Sequence, residues 1–123
     1  MKEIPNFEGY WASKEGFIYK LKNGEFKFCK SHKSSKGYMQ INLYGTWGRV
    51  IKRVHRLVAQ TYLIDYSESL QVNHLNMVKD DNRVSNLSMC TNQENKIHGL
   101  KNHIPEKFKL FLYFLLSAYK NAP

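Results

Sequence analysis

QVNHLNMVKDDNRVSNLSMCTNQENKIHGL, running from Gln71 to Leu100, is the stretch on which the reading of this chain turns. Its opening, LQVNHL from Leu70, has the length and composition of a short strand, and VKDDNRVSN after it is a polar loop. A helix is expected to begin near Thr91 or Asn92, either of which can cap it with a side-chain oxygen, and to stop at Gly99. His74 therefore falls on a strand, Asn86 in the following loop, and Asn95 and His98 three residues apart on one helix face.

Working outward, the residues before Val54 read as short β segments separated by turns. Tyr10 to Ala12, Phe17 to Lys20, Glu25 to Cys29, Tyr38 to Tyr44 and Arg49 to Val54 are the expected strands. In YMQINLY, Met39, Ile41 and Leu43 alternate with polar or amphipathic neighbours, the period of a half-buried strand. Lys14-Glu15-Gly16, Asn23-Gly24 and Gly45-Thr46-Trp47-Gly48 mark the turns, and Asn-Gly suits a two-residue hairpin because both residues tolerate positive φ. HRLVAQTYL from His55 spaces Leu57, Val58, Thr61 and Tyr62 as one face of a short helix ending near Leu63. Pro105 can open a last helix reaching about Tyr119, whose apolar positions surround it and require burial against the core or a partner.

The Gln71 to Leu100 stretch resembles the HNH endonuclease family, in particular phage and organelle homing endonucleases of the form VNHIDGNKxNNxxxNLEW followed by T and xxxN. The resemblance runs back through VHRLVAQTY (Val54 to Tyr62) to FEGYWASKEGFIY (Phe7 to Tyr19), which is similar to an opening module that often precedes such nucleases. It implies an α+β fold: a short antiparallel β meander, a ββα-metal (HNH) nuclease core and a carboxy-terminal helix. The implied division is 1–54 for a basic β-rich DNA-binding module, 55–103 for the nuclease core and 104–123 for the apolar helix.

Phosphodiester hydrolysis needs a base to activate water, a divalent cation to neutralise developing charge, and a frame that holds both. His74 is the candidate base. The resemblance implies that Asn86 orients that imidazole or tightens the loop, and that Asn95 presents an oxygen to the metal; Asn73 can supply a second oxygen and His98 a further ligand. Oxygen donors with open water positions suit Mg²⁺ or Mn²⁺. The sequence departs from the family form at Asn76-Met77, where Asp-Gly is usual, at Asp81-Asn82 in place of Asn-Asn, and at Met89 in place of an aromatic residue. Met tolerates positive φ poorly, so the turn after His74 is expected to be built differently. Asn73 stands where some members carry Asp, which weakens the grip on Mg²⁺. The expected activity is a metal-dependent DNA endonuclease, a homing-type nickase, with a catalytically silent DNA-binding protein as the alternative.

Charge supports an anionic partner. The chain of 123 residues carries a net +9 with a pI near 9.6, and twelve of its Lys and Arg residues, against four Asp and Glu, lie before Leu63. Lys27, Lys30, His32, Lys33 and Lys36 surround a Ser/Gly loop; Arg49, Lys52, Arg53 and Arg56 lead into the first helix. Both groups are candidate contacts to the phosphates of double-stranded DNA. Strand alternation puts Lys27 and Cys29 on one face and Phe26 and Phe28 on the other, so that cations line a groove over an aromatic core. Two cysteines, Cys29 and Cys90, without a Cys-x-x-Cys pair indicate no disulfide framework and no structural zinc, and both are expected to be buried thiols. The longest apolar run, Leu110 to Leu116, is far below the roughly 20 residues that span a bilayer, and the amino terminus has no secretory h-region. The expectation is an intracellular monomer or weak homodimer, encoded by a phage or mobile element.

Overall fold

The computed structural model describes residues 1–91 and Gln93. The helix expected from Thr91 to Gly99, with Asn95 and His98, and the one expected from Pro105 lie outside the described residues. What is described is three small antiparallel sheets gathered on one helix. β1 (Lys2–Glu3), β2 (Tyr10–Ala12), β3 (Ile18–Lys22) and β4 (Glu25–Phe28) form the first sheet in sequence order. β5 (His32–Lys33), β6 (Met39–Gly45) and β7 (Gly48–Arg53) form the second, and β8 (Gln71–His74) pairs with β9 (Leu87–Cys90) in the third. Helix α1 (Val54–Tyr62) follows β7 without a break.

The turns are those that local chemistry demands. Asn23 and Gly24 both take positive φ, 52° and 77°, as a tight hairpin between β3 and β4 requires. β6 and β7 close through Thr46 and Trp47, with Gly45 opposite Gly48. β1 and β5 are two residues each, too short to leave a periodic signature, and the sequence reading missed them.

Val54, Leu57 and Val58 on one face of α1 meet Ile4, Tyr10, Ala12 and Ile18 of the first sheet region, Ile41 and Leu43 of β6, and Leu87 of β9 in one buried cluster. Polar ties fix the helix within it: Tyr62 donates its hydroxyl to Ala12 O at 2.7 Å and Gln60 its amide to Pro5 O at 3.0 Å. The Tyr44 N–H donates to the Tyr10 hydroxyl at 2.8 Å, joining the first sheet to the second.

Two expectations about side chains are corrected. Phe26 and Phe28 are 44% and 59% exposed; instead of a core they form a surface cluster in which Phe26 meets Trp11 edge-on and Phe28 meets Phe17 and Tyr19. A four-stranded sheet this small has apolar partners for one face only, so the other aromatic face stays outside. Cys29 is half-buried and only Cys90 is buried; no disulfide joins them.

Candidate active site

β8 and β9 run antiparallel with Asn73 opposite Ser88 and His74 opposite Leu87. This hairpin presents His74 at its end, 5% exposed. The ring's Nε2 lies 2.8 Å from Asn82 Oδ1. With the amide oxygen as acceptor, Nε2 is the donor of this bond, which fixes the orientation of the ring. Asn82 is itself 5% exposed and comes from the loop between β8 and β9.

The other neighbours of the ring are His55, in the first turn of α1, with centroids 5.0 Å apart, and Tyr38 at 6.1 Å. Burial, reinforced by the charges of His74, Arg53 and Arg56, lowers the pKa of His55 to about 3. His55 is therefore neutral near pH 7. A cationic imidazole in that position would repel the proton His74 has to accept; a neutral one does not.

The loop that carries Asn82 is knitted around Asn86. The Asn86 Oδ1 accepts the Asn76 N–H at 3.0 Å, and its Nδ2 donates to Asn76 Oδ1 at 2.9 Å and to Asp81 O at 2.8 Å. The Asn76 amide also donates to Asp81 Oδ2 at 2.8 Å, and Arg83 grips the same carboxylate through Nε at 2.8 Å and Nη2 at 2.7 Å. The Arg83 fork, aided by the Asn76 amide, holds the Asp81 carboxyl well below the usual carboxylate range. Of the two roles the sequence left open for Asn86, these bonds are those of a loop clasp. The turn itself is not built differently: Met77 takes the left-handed conformation at φ 64°. The Met77 N–H donates to His74 O at 3.0 Å, and the Val78 N–H to Asn76 Oδ1 at 2.9 Å. These bonds and the Asn86 clasp impose the conformation on a residue that disfavours it.

The basic residues do not form two uniform clusters. Arg53 and Arg56 line, with Tyr38, His55, Gln71 and Val72, a pocket of about 260 Å³ beside His74. The Arg53 guanidinium lies 4.5 Å from the Tyr38 ring centre, and Arg56 donates to Leu70 O. Lys33 pairs with Asp80 of the site loop at 3.4 Å, and Lys36 O accepts from Lys79 Nζ at 2.8 Å. Lys27 is on the first sheet, paired with Glu25 at 3.5 Å with both side chains exposed, while Lys30 lies in the connection to the second. On β7 alternation sends Arg49 and Arg53 to one face and Lys52 to the other, where Lys52 lies 5.9 Å from the Phe7 ring centre.

Sequence reasoning missed Asn82 and His55. Asn82 sits eight residues beyond His74 across an irregular loop, where no periodicity links the two; its only signal was its place in Asp81-Asn82. His55 was absorbed into the helix pattern of VHRLVAQTY. Among the described residues no three His, Cys, Asp or Glu side chains gather into a metal cluster. The donors the sequence offers are of another kind: the amide oxygen of Asn73, 6% exposed beside His74 on β8, together with Asn95 and His98 beyond the described residues. Hard amide oxygens in this number suit a cation that keeps several waters.

His74 on one strand, a clasped loop and a second antiparallel strand make up the hairpin of the site, and residues 52–97 match the HNH endonuclease family; the chain is similar to that family over this segment. It is 38% identical over 96 residues to the DNA endonuclease I-HmuI of Bacillus phage SP01, covering 76% of this chain and 53% of that protein. An uncharacterised HNH endonuclease of Acanthamoeba polyphaga mimivirus is 30% identical over 100 residues, covering 80% of this chain and 29% of its own. The solved structure of the HNH homing endonuclease I-HmuI, described for DNA binding and cleavage, superposes with a TM-score of 0.74 at 31% identity, covering 89% of this chain and 64% of that one. The chain thus spans about half or less of the curated relatives it matches here. Among the described residues no helix is long and apolar enough to cross a membrane.

Proposed function

We propose that this chain is a divalent-metal-dependent DNA endonuclease of the homing type that nicks one strand of double-stranded DNA. The observation that carries the reading is the His74 imidazole, buried at the end of β8 with its Nε2 2.8 Å from Asn82 Oδ1. In this reading the His74 imidazole removes the proton from the attacking water, and Asn86 keeps the loop closed so that Asn82 stays in place. Asn73, Asn95 and His98 would hold Mg²⁺ or Mn²⁺, which supplies charge neutralisation at the phosphate and leaving oxygen. Residues 1–54 grip DNA and 55–103 carry the chemistry; the apolar 104–123 segment lies outside the described residues. Lys27, Lys30, Lys33, Lys36, Arg49, Lys52, Arg53 and Arg56 are the proposed phosphate contacts, with Arg53 and Arg56 lining a pocket together with Tyr38 and His55, whose rings lie against His74.

One site per chain cuts one strand, so the protein acts as a monomer, with double-strand cleavage reserved for a weak homodimer. Supercoiled plasmid incubated with the protein and Mg²⁺ should relax to open circle, and chelation should stop it. Binding without any cleavage in Mg²⁺ or Mn²⁺ would make the chain a silent DNA-binding protein instead.

A further inference from the structure

We infer that Gly16, in the first turn of the amino-terminal sheet, is a positioning residue for His74 that acts through Asn82. The inference rests on the reading of His74 as the base. Gly16 lies far from the imidazole in sequence, in the turn between β2 and β3. That turn is closed by the Gly16 N–H on Ser13 O at 3.0 Å and the Phe17 N–H on Ser13 Oγ at 3.2 Å. It is also the seat of the site loop. Lys14 O accepts the Val84 N–H at 2.9 Å, and the bare Cα of Gly16 faces the peptide joining Asn82 to Arg83. A Cβ built on Gly16 would stand 2.3 Å from Asn82 O, 2.4 Å from Asn82 C and 2.9 Å from Arg83 N.

These are backbone atoms, so no rotamer change relieves the collision; the loop has to move. The Asn82 backbone is held on one side by Gly16 and on the other by the Asn86 clasp on the preceding Asp81 O. Its buried side chain has little room to swing back. Retreat of the Asn82 peptide by about an ångström would stretch the 2.8 Å contact to His74 beyond hydrogen-bond length. The contact chain is thus Gly16, the Asn82–Arg83 peptide, Asn82 Oδ1 and His74 Nε2.

Gly16 also has φ +93°, a conformation alanine resists wherever it occurs. Gly24 isolates that effect: it lies in the same sheet at φ +77° with nothing within 4 Å of its would-be Cβ. The test compares full-length wild type, Gly16→Ala, Gly24→Ala, Asn82→Ala and the Gly16→Ala/Asn82→Ala double variant. It reads kcat and KM for DNA nicking with Mg²⁺, the pH profile, and the ¹⁵N signals of the His74 ring. Gly16→Ala should lower kcat by roughly ten- to a hundredfold with KM little changed. Its pH profile should shift, and the His74 nitrogens should move toward a mixture of tautomers. Gly24→Ala should leave kcat and the His74 nitrogens as in wild type, and in the Asn82→Ala background Gly16→Ala should add nothing. Should Gly16→Ala not fold, Val84→Pro decides: it removes the Lys14 hydrogen bond at the first residue of a 3₁₀ turn, where proline fits, and should move the His74 signals the same way. Multiplicative effects in the double variant, equal losses in Gly24→Ala, or unmoved His74 nitrogens in Gly16→Ala (or, in its place, Val84→Pro) would overturn the inference. A wild type that cuts no DNA refutes the endonuclease reading alone, because the nitrogen signals still show whether Gly16 holds the imidazole.

Discussion

Met77 holds φ 64° in the turn that follows the candidate base, and an unbranched residue with a Cβ is disfavoured there by about 1 kcal/mol. Its side chain is 43% exposed, so little packing is lost with it. Met77→Gly should therefore raise stability by about 0.5 to 1 kcal/mol in urea unfolding, with the His74 site unchanged. His55 makes the opposite kind of contribution. Folded, it stays neutral down to about pH 3, whereas the unfolded chain protonates near 6.5. Below 6.5 the unfolded state binds the extra proton, so stability is complete above that pH and falls as the pH drops toward 3. Between pH 7.5 and pH 5 this residue alone should cost roughly 2 kcal/mol. Urea titrations at the two pH values should show that loss, and His55→Gln should remove most of it. At this scale His74 and Asn73 could be picked out from sequence because residue type and order mark them. Asn82 could not, because its role depends on where an irregular loop folds back.

The loop from Asn76 to Asn86 is the element on which the site depends, and its bonds converge on one buried amide. Asn86→Ala deletes three hydrogen bonds and strands their partners, which at about 1 kcal/mol each should cost about 2 to 4 kcal/mol. Urea unfolding should show that loss, and limited proteolysis should find its new cuts inside this loop; cuts confined to the amino-terminal hairpins would contradict the clasp. β6 and α1 were legible because they bury one face in a regular period, as Ile41 and Leu43 or Leu57 and Val58 do. β1 and β5 were not, since a two-residue strand is made by its partner. The exposed Phe26 and Phe28 were misplaced for the same reason: alternation says which residues share a face, and only the packing of the whole chain says which face is covered.

Across the whole molecule, the basic surface and the candidate site share parts. Lys33 bonds Asp80 of the site loop, and Arg53 and Arg56 line the pocket beside His74. If these cations meet phosphates, Lys33→Ala and Arg53→Ala should each weaken binding to all sequences alike and flatten log affinity against log salt by about one. Unchanged slopes across the set would return those cations to solvent. The central claim is that the His74 imidazole activates water in DNA cleavage, and single-turnover nicking by His74→Ala tests it most directly, at a protein concentration where both proteins saturate the DNA. Base assistance contributes roughly 10²- to 10⁴-fold, so the variant should bind DNA and Mg²⁺ as wild type does and cut slower by that factor. Cleavage by His74→Ala at the wild-type rate, in the same metal and at the same pH, would contradict the account.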